Sequence, residues 1–191
     1  VTSRVTLVSP AMNASLREAR FDDGAPLDAR GAAAARAAAG TLRAARRVLV
    51  APTVRCRETA SALGLGEAAE QGQLGGLDMG RWRGRTLDEV AGAEPEALAV
   101  WLADPEAAPH GGEPVSALCA RAGLWLERVR ECEGGVLAVV EPEFVRAAVV
   151  HALGAPETAF WRLDVAPLTA TVLSGRAGRW NVRLGQAPDE R

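Results

Sequence analysis

The chain has 191 residues, 48% of them hydrophobic, with 22 basic against 24 acidic residues and a formal net charge of -2. That is enough apolar material for one core, so one domain over residues 1–191 is expected. The balance of charge carries no basic excess and no polybasic tract, which argues against nucleic-acid and membrane partners.

No apolar run approaches the roughly 18 residues that span a bilayer. The start Val1-Thr-Ser-Arg-Val5 lacks the pattern of a signal peptide, so a cytoplasmic location is expected. Cys56, Cys119 and Cys132 lie far apart and fit neither a C-x-x-C spacing nor a disulfide framework; no metal and no cofactor is predicted.

In chain order, Arg4–Val8 reads as a β-branched strand ended by Ser9-Pro10, followed by a loop. Pro26–Gly31 leads into a helix predicted over Ala32–Arg46, with Ala37, Leu42 and Ala45 on its buried face. Arg47–Ala51 is a second strand and Val54–Leu63 a second helix, a βαβα opening that implies parallel strands. Leu74–Gly84 is glycine-rich and read as a site-lining loop. Short helices follow near Thr86–Ala91 and Pro95–Leu102, then an amphipathic helix within Glu113–Cys132 that stops at Gly134-Gly135. Val136–Val140 is a third buried strand and Glu143–Leu153 its following helix. Leu168–Leu173 and Trp180–Leu184 form a terminal hairpin around Gly175–Gly178, with a frayed tail after Gln186. The predicted class is α/β: a three-layer α/β/α sandwich around a mostly parallel sheet.

Four segments in order resemble the histidine phosphatase superfamily, the phosphoglycerate-mutase-like fold. Pro26-Leu-Asp-Ala-Arg-Gly31 is similar to P-L-T-x-x-G, and Ala51-Pro-Thr-Val-Arg-Cys-Arg-Glu-Thr-Ala60 to S-P-L-x-R-A-x-Q-T-A. Leu77-Asp-Met-Gly-Arg-Trp-Arg-Gly84 is similar to L-D-F-G-x-W-E-G, and Gly111-Gly-Glu113 to the start of G-G-E-S. Phe144-Val-Arg146 and Phe160-Trp-Arg-Leu-Asp164 also agree with later family segments.

The resemblance implies a covalent mechanism, in which an imidazole takes the phosphoryl group, cationic groups hold its oxygens and a carboxylic acid protonates the leaving oxygen. Where the family carries R-H-G, this chain has Ser9-Pro10-Ala11. The position of the second histidine is Glu141, followed by Pro142 and Glu143, and that of the general acid is Gly76. Of the implied pocket of two arginines and two histidines, Arg55 remains, its partner arginine replaced by Ser9. Pro10 offers no nucleophile, Gly76 no proton, and Glu141 reverses the local charge.

The chain is therefore expected to be a catalytically degenerate member that binds or regulates, through homodimerisation, a partner protein or a small-molecule ligand whose identity stays open. The alternative is an enzyme repurposed for a non-phosphate molecule, with Glu141 and Arg55 central and Ser9, Asn13 and Arg17 nearby. Two arrangements of the central pair follow: Arg55 pairs with Glu141 and plugs the site, or both await a ligand.

Other residues are weighed and set aside. His110 lies in a Pro/Gly loop and His151 on a helix, so neither makes a Ser-His arrangement. Cys56 at a helix start is read as a small buried residue and not a reactive thiolate. Asp22-Asp23-Gly24 is read as a solvated turn, Trp101 and Trp161 as core, and Trp82 as a prop for its loop.

Overall fold

The computed structural model describes residues 3–176 and 179–188. The first two residues of the chain's start, Ala177-Gly178 of the hairpin turn and 189–191 of the tail lie outside the described residues.

The first strand, β1 (Ser3–Val8), is followed by a one-turn helix α1 (Ala14–Arg17) inside the predicted loop. Helix α2 (Ala29–Ala37) is capped by Asp28, whose carboxylate accepts from the Gly31 N–H at 2.6 Å. Gly31 packs so closely on Met12 that a Cβ would sit 2.1 Å from its carbonyl oxygen, which explains a glycine at that helix start.

The helix predicted to reach Arg46 stops at Ala37, and Gly31 and Ala35, not Ala37, face the core. Helix propensity alone does not hold it: Gly40 turns the chain at φ +77°, and the Thr41 hydroxyl donates to the Ala38 carbonyl at 2.6 Å. Leu42 and Ala45 still pack against the core, from a loop.

Strand β2 (Arg47–Val50) leads to α3 (Val54–Ala62) and a two-residue strand β3 (Ala69–Glu70), too short to leave a periodic signal. Two single turns of 3₁₀ helix shape the glycine-rich loop. Helix α4 (Leu87–Ala93) begins at a Thr86/Glu89 capping box, and α5 (Pro95–Ala103) at a proline. Helix α6 (Val115–Val129), strand β4 (Val136–Val139), helix α7 (Pro142–Leu153), and strands β5 (Ala170–Arg176) and β6 (Arg179–Gln186) complete the chain.

The six strands lie in the order β3-β2-β4-β1-β5-β6. The first four are parallel, with Val5 opposite Val136 and Arg47 opposite Val136, while β5 and β6 return antiparallel. Right-handed crossovers put α2 and α3, which touch each other, on one face, and α6 and α7, also in contact, on the other. Strand β4 is buried along its whole length, as expected of a central parallel strand covered on both faces. Core packing includes Trp125 of α6 set edge-on to Phe144 of α7, ring centroids 5.6 Å apart. A smaller apolar cluster of Met79, Trp82, Val90 and Trp101 sits under the glycine-rich loop, as read for Trp82 and Trp101.

The chain leaves β1 toward β2 and leaves β4 toward β5, on the other side of β1. The C-terminal ends of β1, β2 and β4 thus open onto one crevice where the direction of winding reverses, the usual ligand position in such sheets.

Candidate functional site

Thr53 and Arg55 reach this crevice from the β2–α3 turn, and Glu141 and Glu143 from the turn that starts α7. Arg55 and Glu141 are 3% and 2% exposed. They form a buried ion pair: Arg55 Nη2 is 2.5 Å from Glu141 Oε2, and Nε donates to Oε1 at 3.0 Å and to Oε2 at 2.8 Å. Thr53 Oγ1 donates to Glu141 Oε1 at 2.6 Å, and the Cys56 thiol reaches the same oxygen at 3.5 Å. Thr53 was missed by the sequence reading, although it lies inside the segment that carries Arg55.

The remaining guanidinium nitrogen, Arg55 Nη1, is buried without a hydrogen-bond partner. Arg55 also lines a cavity of about 60 Å³, together with Phe21, Asp22, Gly76, Glu141 and Glu143. Three carboxylates therefore face one guanidinium. The carboxylates of Glu141, Glu143 and Asp22 push the Arg55 pKa up against the opposing effect of burial. Burial and the neighbouring Glu141 carboxylate push Glu143 up, so its protonated form is favoured. Cys56, buried beside Glu141, has its thiol pushed well above the ordinary range, the state of an unreactive cysteine.

Gly76 closes the crevice from the side of the glycine-rich loop. A Cβ there would lie 3.1 Å from both Cβ and Cγ of Glu141, and 3.4 Å from Glu143 Oε2. Arg121 fixes that loop: it pairs with Glu113 at 2.7 Å and donates to the carbonyls of Gln73, Gly75 and Gly76. Glu113 ends the Gly111-Gly-Glu113 segment that resembles the family's, while its partner on α6 carries no local signal in the sequence.

The other predicted neighbours are engaged elsewhere. Ser9 is fully buried; its hydroxyl donates to the Ala166 carbonyl at 2.6 Å and accepts from Thr169 N–H at 3.0 Å. Asn13 caps α1 through Leu16 N–H at 2.9 Å and donates to the Ala25 carbonyl. Arg17 pairs with Asp28 at 2.5 Å on the surface. Pro10 accepts from Leu168 N–H through its carbonyl.

His110 is buried against Trp82 and its Nδ1 accepts from Gly112 N–H at 2.9 Å, while His151 lies 3.3 Å from Glu127 on the α6–α7 surface. Asp23 serves the turn read for it, accepting from Ser15 Oγ and Ala25 N–H. Among the described residues no group of three or more His, Cys, Asp or Glu could hold a metal ion, and no helix is long and apolar enough to cross a membrane.

No curated protein sequence matches the chain. Similar solved structures include a mycobacterial glucosyl-3-phosphoglycerate phosphatase in complex with VO3, 24% identical, with a TM-score of 0.86 over 97% of this chain and 99% of that one. A second is a mycobacterial hydrolase, 22% identical, with a TM-score of 0.87 over 98% and 99%. A third is a histidine-to-alanine variant of phosphoserine phosphatase from Entamoeba histolytica in complex with phosphoserine, 13% identical, with a TM-score of 0.86 over 97% and 98%. At these identities the likeness shows the fold. The model of the histidine phosphatase superfamily (branch 1) matches residues 11–187, and with nearly the whole chain so covered, this protein belongs to that superfamily.

Proposed function

We propose that this chain is a binding member of the superfamily that does not hydrolyse phosphate esters by the family's covalent mechanism. The observation that carries the reading is the Arg55–Glu141 pair, which engages Nε and Nη2 of the matched arginine with a carboxylate of the same chain. A phosphate dianion entering here would have to displace that carboxylate and pass Asp22, so like charge opposes it before any chemistry begins. By the resemblance of the sequence, Pro10 takes the place of the nucleophile and Gly76 that of the general acid. Neither can form a phosphoryl bond or give up a proton.

A second reading, a non-phosphate reaction in the same crevice, draws on the unpartnered Arg55 Nη1 and the cavity of about 60 Å³ that Arg55 lines.

The test is hydrolysis of a broad panel of phosphate monoesters by the purified protein, run beside Arg55→Ala and Arg55→Met/Glu141→Met. No turnover in any of the three is expected. Turnover by the wild type that disappears in both variants would overturn the proposal.

A further inference from the structure

A larger groove lies away from this crevice, on the face of the sheet that carries α2 and α3. Those helices connect β1, β2 and β3, so their crossovers cover the parallel half of the sheet and leave the same face of β5 and β6 open. Side chains alternate along each strand. Val5 and Leu7 of β1 are fully buried toward the other face, and Arg4 and Thr6 project to this one. Thr6 pairs with Val172 of β5, and Val172 with Arg183 of β6, a row across three strands. The chain after α2 supplies a wall at Arg43, because α2 stops early and turns at Gly40.

The resulting groove holds about 370 Å³ between Arg4, Thr6, Arg43, Ala170, Val172 and Arg183. Its floor is apolar, with Ala170 and Val172 both buried, and its polar groups are dominated by three guanidinium groups. Among the described residues no carboxylate pairs with any of the three. Arg4 Nε is buried without a hydrogen-bond partner. Burial and the proximity of Arg43 and Arg183 lower the Arg4 pKa, the mark of like charges held together.

Three cations, none paired among the described residues, on an apolar floor are complementary to one kind of occupant. We propose that this groove binds an organic anion of at least two negative charges, its apolar body on Ala170 and Val172 and its phosphate or carboxylate head between Arg4, Arg43 and Arg183. The volume falls in the range of small-molecule sites. A second copy of the chain is disfavoured, because a two-fold contact through this face would set the same arginines against their own images.

Calorimetric titration with 1-naphthyl phosphate, naphthalene-2,3-dicarboxylate and uncharged 1-naphthol tests the assignment and separates the two head groups. At least one anion is expected to bind, with naphthol binding far more weakly and the affinity falling as salt is raised. Arg43→Gln and Arg183→Gln, both at exposed positions, should each weaken binding about three- to tenfold, as for one partly screened charge-assisted contact. Arg55→Met/Glu141→Met should bind as the wild type does, which keeps this site distinct from the crevice. Equal binding of naphthol, unchanged affinity in both glutamine variants, or loss of binding in the crevice variant would overturn the inference. So would binding gained only in Asp189→Asn/Glu190→Gln, which would assign the groove to the chain's own acidic end.

Discussion

Arg55 and Glu141, 86 positions apart in sequence, meet at 2.5 Å with both side chains nearly fully buried. Each closes its own strand-to-helix turn, β2 to α3 and β4 to α7, and the parallel pairing of β2 with β4 brings those turns together. Glu141 accepts from Thr53 as well, so the pair is locked from both chemical sides while Arg55 Nη1 is left over.

A buried pair of this kind is costly to break and cheap to replace. Glu141→Gln leaves the Arg55 charge uncompensated and should lower unfolding free energy by about 3–5 kcal/mol, whereas Arg55→Met/Glu141→Met should stay within about 1–2 kcal/mol of the wild type. Urea unfolding of the wild type and both variants measures this. A loss below about 1 kcal/mol in Glu141→Gln would mean that Arg55 reaches water in solution.

Gly76 faces Glu141 at a separation where a methyl group fits only if Glu141 gives by a few tenths of an ångström, since its Cβ would approach two carbons at 3.1 Å. Gly76→Ala should therefore destabilise the chain by about 1–3 kcal/mol through overpacking. The penalty should shrink when Glu141 is shortened to alanine in the same chain, and the double-mutant cycle reads the coupling directly. Additive effects would show that the loop moves aside freely.

Glu143 is a carboxyl whose folded-state pKa is raised by burial and by Glu141. The folded protein then holds that proton more tightly than the unfolded chain does. The group's contribution is fully present below the ordinary glutamate range and is lost as pH rises through its raised value. Glu143→Gln should be more heat-stable than the wild type at pH 7, with the difference closing toward pH 4. Melting curves across that interval test the sign, and a variant less stable at pH 7 would contradict it.

Native thiol labelling should discriminate the three cysteines. Cys56 is fully buried with its thiol pushed well up, and Cys119 is buried and pushed up to about 12, while Cys132 is half-buried. An aromatic disulfide reagent should modify Cys132 in the native protein and the other two only after denaturation. Peptide mapping identifies the site, and rapid modification of Cys56 would show that the crevice opens.

The strands and their direction were legible because short β-branched runs followed by proline or glycine, and separated by helical stretches, leave few arrangements other than a parallel α/β sheet. Arg55 and Glu141 were legible as candidates through the family resemblance, which set Arg55 at a phosphate-pocket arginine and Glu141 at the second histidine. The end of α2 was not: the alanine-rich run favours helix to Arg46, but Gly40 and the packing of Leu42 and Ala45 as loop residues override that preference.

What the sequence by itself determined was the order of elements, the family resemblance and which chemical groups stand at the turn positions. Only the tertiary structure decided how those groups spend their hydrogen bonds. Ser9, Asn13 and Arg17 are polar candidates by sequence, yet Ser9 is bound into the Ala166–Thr169 turn, Asn13 into a helix cap and Arg17 onto Asp28. The grouping of Arg4, Arg43 and Arg183 was likewise invisible in the chain order, because cross-strand register and the turn after α2 create it. The physical reason is the same in each case: side-chain identity fixes what a residue can bond, and only long-range packing fixes which partner is near enough to bond it.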